Sequence, residues 1–142
     1  MLVSQILRTK GDLVFTVQPG ETLAAVAAML NDRNVGALVV LEAESVVGIV
    51  SERDLVRAVA GDGPGAFERP VSRYMTVDVQ FADPGETVDS LLGRMTDRRI
   101  RHLPVVVSER LVGLVSIGDL VKAKISETQA EAEDLKAYIA AG

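Results

Sequence analysis

The chain has 142 residues, enough for one compact domain or for two very small halves that share a core. Its formal net charge of −5 argues against a general affinity for nucleic acids or anionic membranes, which requires a basic surface. The absence of cysteine excludes disulfides, thiolate catalysis and cysteine-based metal sites. There is no secretory signal pattern, and no apolar run approaches the roughly 18 residues that a membrane helix needs. We therefore predict a cytoplasmic protein without nucleic-acid or membrane partners.

Aliphatic side chains must fill the core, because 48% of the residues are hydrophobic and only 4% are aromatic. Apolar runs alternate with helical patterns, which is typical of an α/β architecture. In chain order the first half predicts a helical turn over residues 1–7, a short strand over 13–17, a helix from Thr22 to about residue 31, strands over 35–41 and 46–50, and a helix over 53–60.

The second half of the chain repeats the first. The turn Pro19-Gly20-Glu21-Thr22 recurs letter for letter 65 positions later. The same shift pairs Gly48 with Gly113, Ser51 with Ser116 and Asp54 with Asp119, while upstream of the turn a shift of 68 pairs residues 3–7 with 71–75. One half alone is too small to bury its apolar strand faces. We therefore expect two halves related by a pseudo-twofold axis, with one joint core and paired clefts where they meet.

Residues 61–65 hold three glycines and a proline, which indicates a linker between the halves. The Gly-x-Gly pair in this stretch could belong to a nucleotide loop. It follows a helix and leads into Pro64, however, so the linker is the favoured interpretation.

The tail departs from the repeat. Residues 119–141 contain neither glycine nor proline and are rich in good helix formers, so one long helix is predicted. An apolar stripe lies near one face of this helix and comprises Ile125, Ala132, Leu135 and Ile139. Either this stripe packs on a partner subunit, or the helix folds back on its own core.

Each half carries a Ser-x-x-Asp turn, formed by Ser51 and Asp54 in the first and by Ser116 and Asp119 in the second. Such a turn between a strand and a helix brings backbone N–H groups, a hydroxyl and a carboxylate to one place. Helix capping alone explains a single copy, but two copies at matched positions favour a ligand site. The one histidine, His102, is paired with no evident nucleophile, and no metal-binding motif is present.

The strand–helix–strand–strand–helix unit, the Pro-Gly-Glu-Thr turn, the stretch Arg101-His102-Leu103-Pro104-Val105-Val106 and the motif Gly-Leu-Val-Ser-x-x-Asp-Leu together resemble a cystathionine-beta-synthase (CBS) domain. Two in tandem resemble a Bateman module of the stand-alone bacterial kind. The resemblance implies an α/β (α+β) fold of two β-α-β-β-α repeats, with a first repeat over 1–62, a linker over 63–70, a second repeat over 71–126 and a helical tail over 127–142.

The resemblance also implies two sites for adenosine-containing ligands, which are AMP, ADP, ATP, NAD(H) or S-adenosylmethionine. In each site the Asp would take the ribose hydroxyls, the Ser would help to hold phosphate, and the remaining wall would come from the other repeat. One site would comprise Ser51, Arg53, Asp54, Asp78, Val79, Gln80, Ile100, Arg101, His102 and Leu103. The other would comprise Ser116, Gly118, Asp119, Lys10, Leu13, Val14, Phe15, Val35, Gly36, Ala37 and Leu38.

The two sites should differ in affinity. Arg53 and Arg101 make the Asp54 site the better one for phosphate, because a guanidinium is always cationic and its fork matches phosphate oxygens. We therefore predict a non-catalytic regulatory sensor that binds an adenine ligand and forms a homodimer. The alternative is a structural or protein-interaction module that binds no nucleotide in the cell.

Overall fold

The computed structural model of the protein describes residues 1–11 and 13–141. The helices are α1 (Val3–Lys10), α2 (Leu23–Arg33), α3 (Glu52–Asp62), α4 (Val88–Arg98) and α5 (Ile117–Ala141). The strands are β1 (Thr16–Val17), β2 (Ala37–Glu42), β3 (Ser45–Ser51), β4 (His102–Val107) and β5 (Arg110–Ser116). Two 3₁₀ helices, Pro64–Glu68 and Val71–Arg73, follow α3.

The chain divides into two compact units. The first-repeat unit consists of Leu13–Gln80 together with Ser108–Val112. The second-repeat unit consists of residues 1–11, Phe81–Val107 and 113–141. Helix α1 therefore belongs to the unit of the second repeat, although it is the leading segment of the first repeat in the chain.

In the first-repeat unit, β1 pairs in parallel with β2, and β2 pairs antiparallel with β3. The predicted strand over residues 13–17 is shorter than expected, since only Thr16–Val17 pair. Apolar side chains of the sheet and of helices α2 and α3 form the core of this unit. Its buried members are Val17, Leu23, Val26, Leu30, Leu38, Val40, Val50, Ala58, Ala66 and Val71.

In the second-repeat unit, β4 pairs with β5, and helices α1 and α4 contact α5. The strand expected at the start of this repeat is reduced to one parallel bridge, between Ala82 and Val105. The buried side chains here include Val3, Val88, Leu91, Met95, Leu103, Val115 and Leu120.

The repeated turn has the same structure in both units. The hydroxyl of Thr22 accepts a hydrogen bond from the N–H of Ala25, and the hydroxyl of Thr87 accepts one from the N–H of Ser90. Each threonine thereby satisfies one of the free N–H groups at the start of its helix. The N-cap predicted at Thr22 is confirmed.

Each repeated turn binds the leading segment of the other repeat. In the second-repeat unit the N–H of Val3 donates to the carbonyl of Glu86 at 2.9 Å. In the first-repeat unit the N–H of Val71 donates to the carbonyl of Glu21 at 2.8 Å. Since both pairs occupy equivalent positions, the two repeats have exchanged their leading segments, which explains why α1 lies with the second repeat.

A repeated glycine in the second strand of each hairpin, β3 or β5, leaves room for a side chain from that leading segment. A Cβ on Gly48 would lie 2.5 Å from the sulfur of Met75, and one on Gly113 would lie 2.6 Å from Cδ2 of Leu7. Met75 and Leu7 are themselves equivalent by the shift of 68. A side chain at either position would therefore have to displace Met75 or Leu7.

The glycine-rich segment after α3 is more structured than its composition indicates. Residues 63–70, predicted to be a linker, include the 3₁₀ helix Pro64–Glu68. Its Ala66 is fully buried, and Phe67 packs against the same core. This segment is therefore part of the first-repeat unit.

The predicted tail helix is confirmed as the second half of α5, but its apolar stripe does not fold back on the core. The side chains of Ile125, Leu135 and Ile139 are 55%, 60% and 67% exposed. The fold-back alternative is therefore wrong for the described chain. Within residues 1–11 and 13–141, no helix is long and apolar enough to cross a membrane.

Candidate ligand-binding sites

The first candidate site is the Ser-x-x-Asp turn at the junction of β3 and α3. The backbone N–H and the hydroxyl of Ser51 both donate to Oδ2 of Asp54, at 2.8 and 3.1 Å. The N–H of Glu52, at the start of α3, donates to the carbonyl of Gly36 at 3.1 Å. These bonds fix the carboxylate of Asp54 at the helix N-terminus, where the helix dipole favours negative charge.

The second candidate site is the equivalent turn at the junction of β5 and α5. The N–H of Ser116 donates to Oδ2 of Asp119 at 2.9 Å, and the hydroxyl of Ser116 accepts from the N–H of Asp119 at 3.1 Å. The N–H of Ile117 donates to the carbonyl of Arg101 at 2.8 Å, as Glu52 does to Gly36 in the first unit. The two turns therefore share the backbone geometry that their sequences predicted.

Asp119 differs from Asp54 because a lysine reaches its carboxylate. Nζ of Lys10 lies 2.6 Å from Oδ2 of Asp119 and 2.7 Å from the carbonyl oxygen of Leu114, and donates to both. Partial burial raises the pKa of Asp119, but the bonds from Lys10 and Ser116 outweigh it and hold this pKa below the usual value. The carboxylate of Asp119 is therefore paired with a cation inside its own unit.

A cavity of about 340 Å³ opens at Asp54. This is near the lower end of the volumes typical of small-molecule sites. It lies entirely within the first-repeat unit and is lined by Asp54, Arg57, Ala58, Gly61, Asp62, Arg73, Tyr74 and Thr76. The α3 residues in this set follow one face of the helix, and the others belong to the segment that leads into the second repeat.

An ion-paired cluster closes one side of the cavity. The hydroxyl of Tyr74 donates to Oδ2 of Asp62 at 2.7 Å, and Nη1 of Arg69 lies 2.9 Å from the same oxygen. The bond from Tyr74, helped by the charges of Arg69 and Arg73, lowers the pKa of Asp62. Asp62 thus has its own partners, and Asp54 is the carboxylate left to face a ligand.

Two arginines of this cavity were not predicted from the sequence. Arg57 and Arg73 are both exposed, and neither forms an ion pair among the described residues, although Arg73 is close enough to act on Asp62. Arg57 could have been found, because a residue three positions after Asp54 lies on the same face of a helix. Arg73 and Tyr74 carry no such signal, because only the exchange of leading segments brings them to α3.

The other predicted site residues divide between the units. The first-repeat unit holds Ser51, Arg53, Asp54, Asp78, Val79, Gln80, Leu13, Val14, Phe15, Val35, Gly36, Ala37 and Leu38. The second-repeat unit holds Lys10, Ile100, Arg101, His102, Leu103, Ser116, Gly118 and Asp119. The side chains of Leu38 and Leu103 are fully buried, so only their backbone could meet a ligand without rearrangement. The grouping of walls from opposite repeats stays a prediction.

The duplicated hairpin-and-helix unit and its paired Ser-x-x-Asp turns define a tandem-repeat α/β protein with candidate ligand sites. The chain belongs to the CBS domain family, whose model matches residues 3–61 and again residues 71–126. Among curated relatives, it is 40% identical over 123 residues to an uncharacterized 17.7 kDa protein of Acidianus ambivalens, covering 85% of this chain and 71% of that protein. It is 30% identical to the CBS domain-containing protein YhcV of Bacillus subtilis, covering 90% of this chain and 91% of YhcV.

Solved structures agree with this fold. The CBS-domain containing protein ATU1752 of Agrobacterium tumefaciens matches with a TM-score of 0.86 at 42% identity, over 87% of this chain and 99% of that one. The CBS domain protein PAE2072 of Pyrobaculum aerophilum, complexed with AMP, matches with a TM-score of 0.74 at 27% identity, over 84% and 89% of the two chains. The CBS domain pair of MJ0100, complexed with 5′-methylthioadenosine and S-adenosylmethionine, matches with a TM-score of 0.78 at 25% identity, over 89% and 98%.

Metal ligands are not clustered in the part of the chain that the structure describes. No group of three or more histidine, aspartate or glutamate side chains there could hold a metal ion.

Proposed function

We propose that the protein is a non-catalytic regulatory module that binds an adenosine-containing ligand at Asp54. The observation that carries this proposal is the cavity of about 340 Å³ that Asp54 lines at the N-terminus of α3. A carboxylate can accept hydrogen bonds from both hydroxyls of a ribose. The solved relatives with AMP, 5′-methylthioadenosine and S-adenosylmethionine support the same ligand class.

The charges of the cavity favour a phosphorylated ligand such as AMP within that class. Arg57 and Arg73 line the cavity that Asp54 lines, and both keep guanidinium donors free of ion pairs among the described residues. A guanidinium binds phosphate with two parallel hydrogen bonds. A ligand whose ribose meets Asp54 could then place its phosphate against Arg57 and Arg73, while 5′-methylthioadenosine could not use them.

Calorimetric and thermal titrations with AMP, adenosine, ATP, NADH and S-adenosylmethionine test the proposal. AMP at about 100 times its dissociation constant should stabilise the protein by about 2.7 kcal/mol, and adenosine should bind more weakly because it lacks phosphate. Asp54→Asn should remove most of this stabilisation. The asparagine oxygen can still accept the hydrogen bond from the N–H of Ser51, so the variant should fold.

Asp97→Asn is the matched control, because Asp97 is an exposed residue near the end of α4, in the other unit. It should bind AMP as the wild type does. Unchanged binding by Asp54→Asn would show that the ligand is held elsewhere.

A second candidate function is a protein-interaction module, which the exposed face of α5 favours. Besides the predicted stripe, Tyr138 on the same helix is 78% exposed. This face is also available to a second copy of the chain, and it supports the homodimer that we predicted from the sequence. If none of the five compounds stabilised the protein at millimolar concentration, the interaction module would become the better account.

A further inference from the structure

The two Ser-x-x-Asp turns are equivalent in sequence, yet their carboxylates have different partners. At Asp54 the donors are the N–H and hydroxyl of Ser51, which are neutral and belong to the same turn. At Asp119 the donors to Oδ2 are the N–H of Ser116 and the ammonium of Lys10. The carboxylate of Asp119 is therefore paired with a cation, whereas that of Asp54 is bonded only to neutral groups.

Lys10 is held in place by its helix and by two acceptors. It is the last residue of α1, and Leu7 of the same helix packs against Gly113 of β5. Its ammonium bridges Oδ2 of Asp119 at 2.6 Å and the carbonyl oxygen of Leu114 at 2.7 Å. The lysine therefore does not depend on the Asp119 contact alone to remain beside the turn.

The first-repeat unit does not make the same contact. Among the described residues, Asp54 forms no ion pair with a lysine or an arginine. The two sites therefore differ in the ammonium group of Lys10, which contacts only the second of the two carboxylates.

We propose that Lys10 occupies the Asp119 carboxylate in place of a ribose, so that the chain fills its Asp54 site first and its Asp119 site only weakly. This rests on the proposed function, because it concerns the same ligand class. A hydroxyl that approaches Oδ2 of Asp119 must displace a charge-assisted bond, and one that approaches Oδ1 meets a carboxylate whose charge is already balanced. We expect the Lys10 contact alone to lower the affinity of the Asp119 site for AMP by up to about five-fold.

Isothermal titration calorimetry with AMP as the probe tests this assignment. The wild type should bind one AMP per chain with a weaker second event, and Lys10→Gln should strengthen the second event by up to about five-fold while leaving the first unchanged. The double variant Lys10→Gln with Asp54→Asn should bind one AMP, whereas Asp54→Asn alone should show only the weak event. Lys124→Gln is the matched control, since Lys124 pairs with Asp89 in the same unit and should leave the two events unchanged.

The outcomes separate this inference from the proposed function. Two equal sites in the wild type, or a second event in Lys10→Gln that is as weak as before or weaker, would overturn the inference while Asp54 kept its role. One AMP bound by Lys10→Gln but none by the wild type would support the Lys10 assignment and refute binding at Asp54. No binding by either protein would refute both.

Discussion

At the scale of single residues, Lys10 and Asp119 give the molecule a contact that depends on pH. The ammonium of Lys10 lies 2.6 Å from Oδ2 of Asp119, and the pKa of Asp119 is lowered in the folded chain. A carboxyl whose pKa is lowered on folding stabilises the protein above its unfolded pKa. This stabilisation is lost as the pH falls through the folded pKa.

We therefore expect the stability difference between the wild type and Lys10→Gln to depend on pH. Because both side chains are partly exposed, the wild type should be more stable by about 0.2–1 kcal/mol at pH 7. The difference should begin to shrink as the pH falls below the ordinary aspartate pKa of about 3.9, and it should vanish only below the lowered pKa that Asp119 has in the folded wild type. Urea denaturation at pH 7, 5 and 3 measures it, and an equal difference at pH 7 and pH 3 would contradict the ion pair.

Some features of single residues could be predicted from the sequence, and others could not. The Ser-x-x-Asp turns were predictable, because a strand pattern followed by a capping residue is a local signal. The pairing of Lys10 with Asp119 joins residues 109 positions apart. The family resemblance placed Lys10 in the Asp119 site, but the ion pair with the carboxylate itself follows only from the packing of α1 on β5.

At the scale of secondary-structure elements, the sequence predicted whether a segment is a helix or a strand better than it predicted where the segment begins and ends. The helices and the two hairpins follow from apolar periodicity and from the duplicated turn. The edge strand β1 is shorter than predicted, since an extended pattern over residues 13–17 does not say how many of them find a partner. The three glycines in residues 61–65 suggested a linker. However, Ala66 and Phe67 provide enough apolar surface to pack the segment after α3 on the core.

The packing of the leading segments on repeated glycines makes Gly48→Ala destabilising. The new methyl group would meet the sulfur of Met75 at 2.5 Å and the carbonyl oxygen of Thr76 at 3.1 Å, and the backbone of Thr76 is hydrogen-bonded to Ile49. Overpacking of this kind costs about 1–3 kcal/mol, which should appear as a lower free energy of unfolding in urea.

Gly93→Ala is the control for this substitution, because Gly93 lies within α4 and its Cβ would meet nothing within 4 Å. Alanine is a better helix former than glycine by about 1 kcal/mol, so this variant should be at least as stable as the wild type. A Gly48→Ala protein as stable as Gly93→Ala would mean that the leading segment does not pack on β3 as described.

At the scale of the whole molecule, duplication has produced two units that are alike in backbone and different in charge. Each repeated turn binds the leading segment of the other repeat, so neither repeat is complete without the rest of the chain. The duplication was evident from the sequence, because the turn and both Ser-x-x-Asp motifs recur at one shift. The exchange was not, because a repeat reveals equivalent residues and does not say which copy each segment joins.

The central claim is that Asp54 and the arginines beside it bind an adenine nucleotide, and a crystal structure of the protein with AMP tests it most directly. We predict the ribose hydroxyls within hydrogen-bond distance of the Asp54 carboxylate and the phosphate against Arg57 and Arg73. AMP bound away from Asp54, with the cavity in the first-repeat unit unoccupied, would contradict the account.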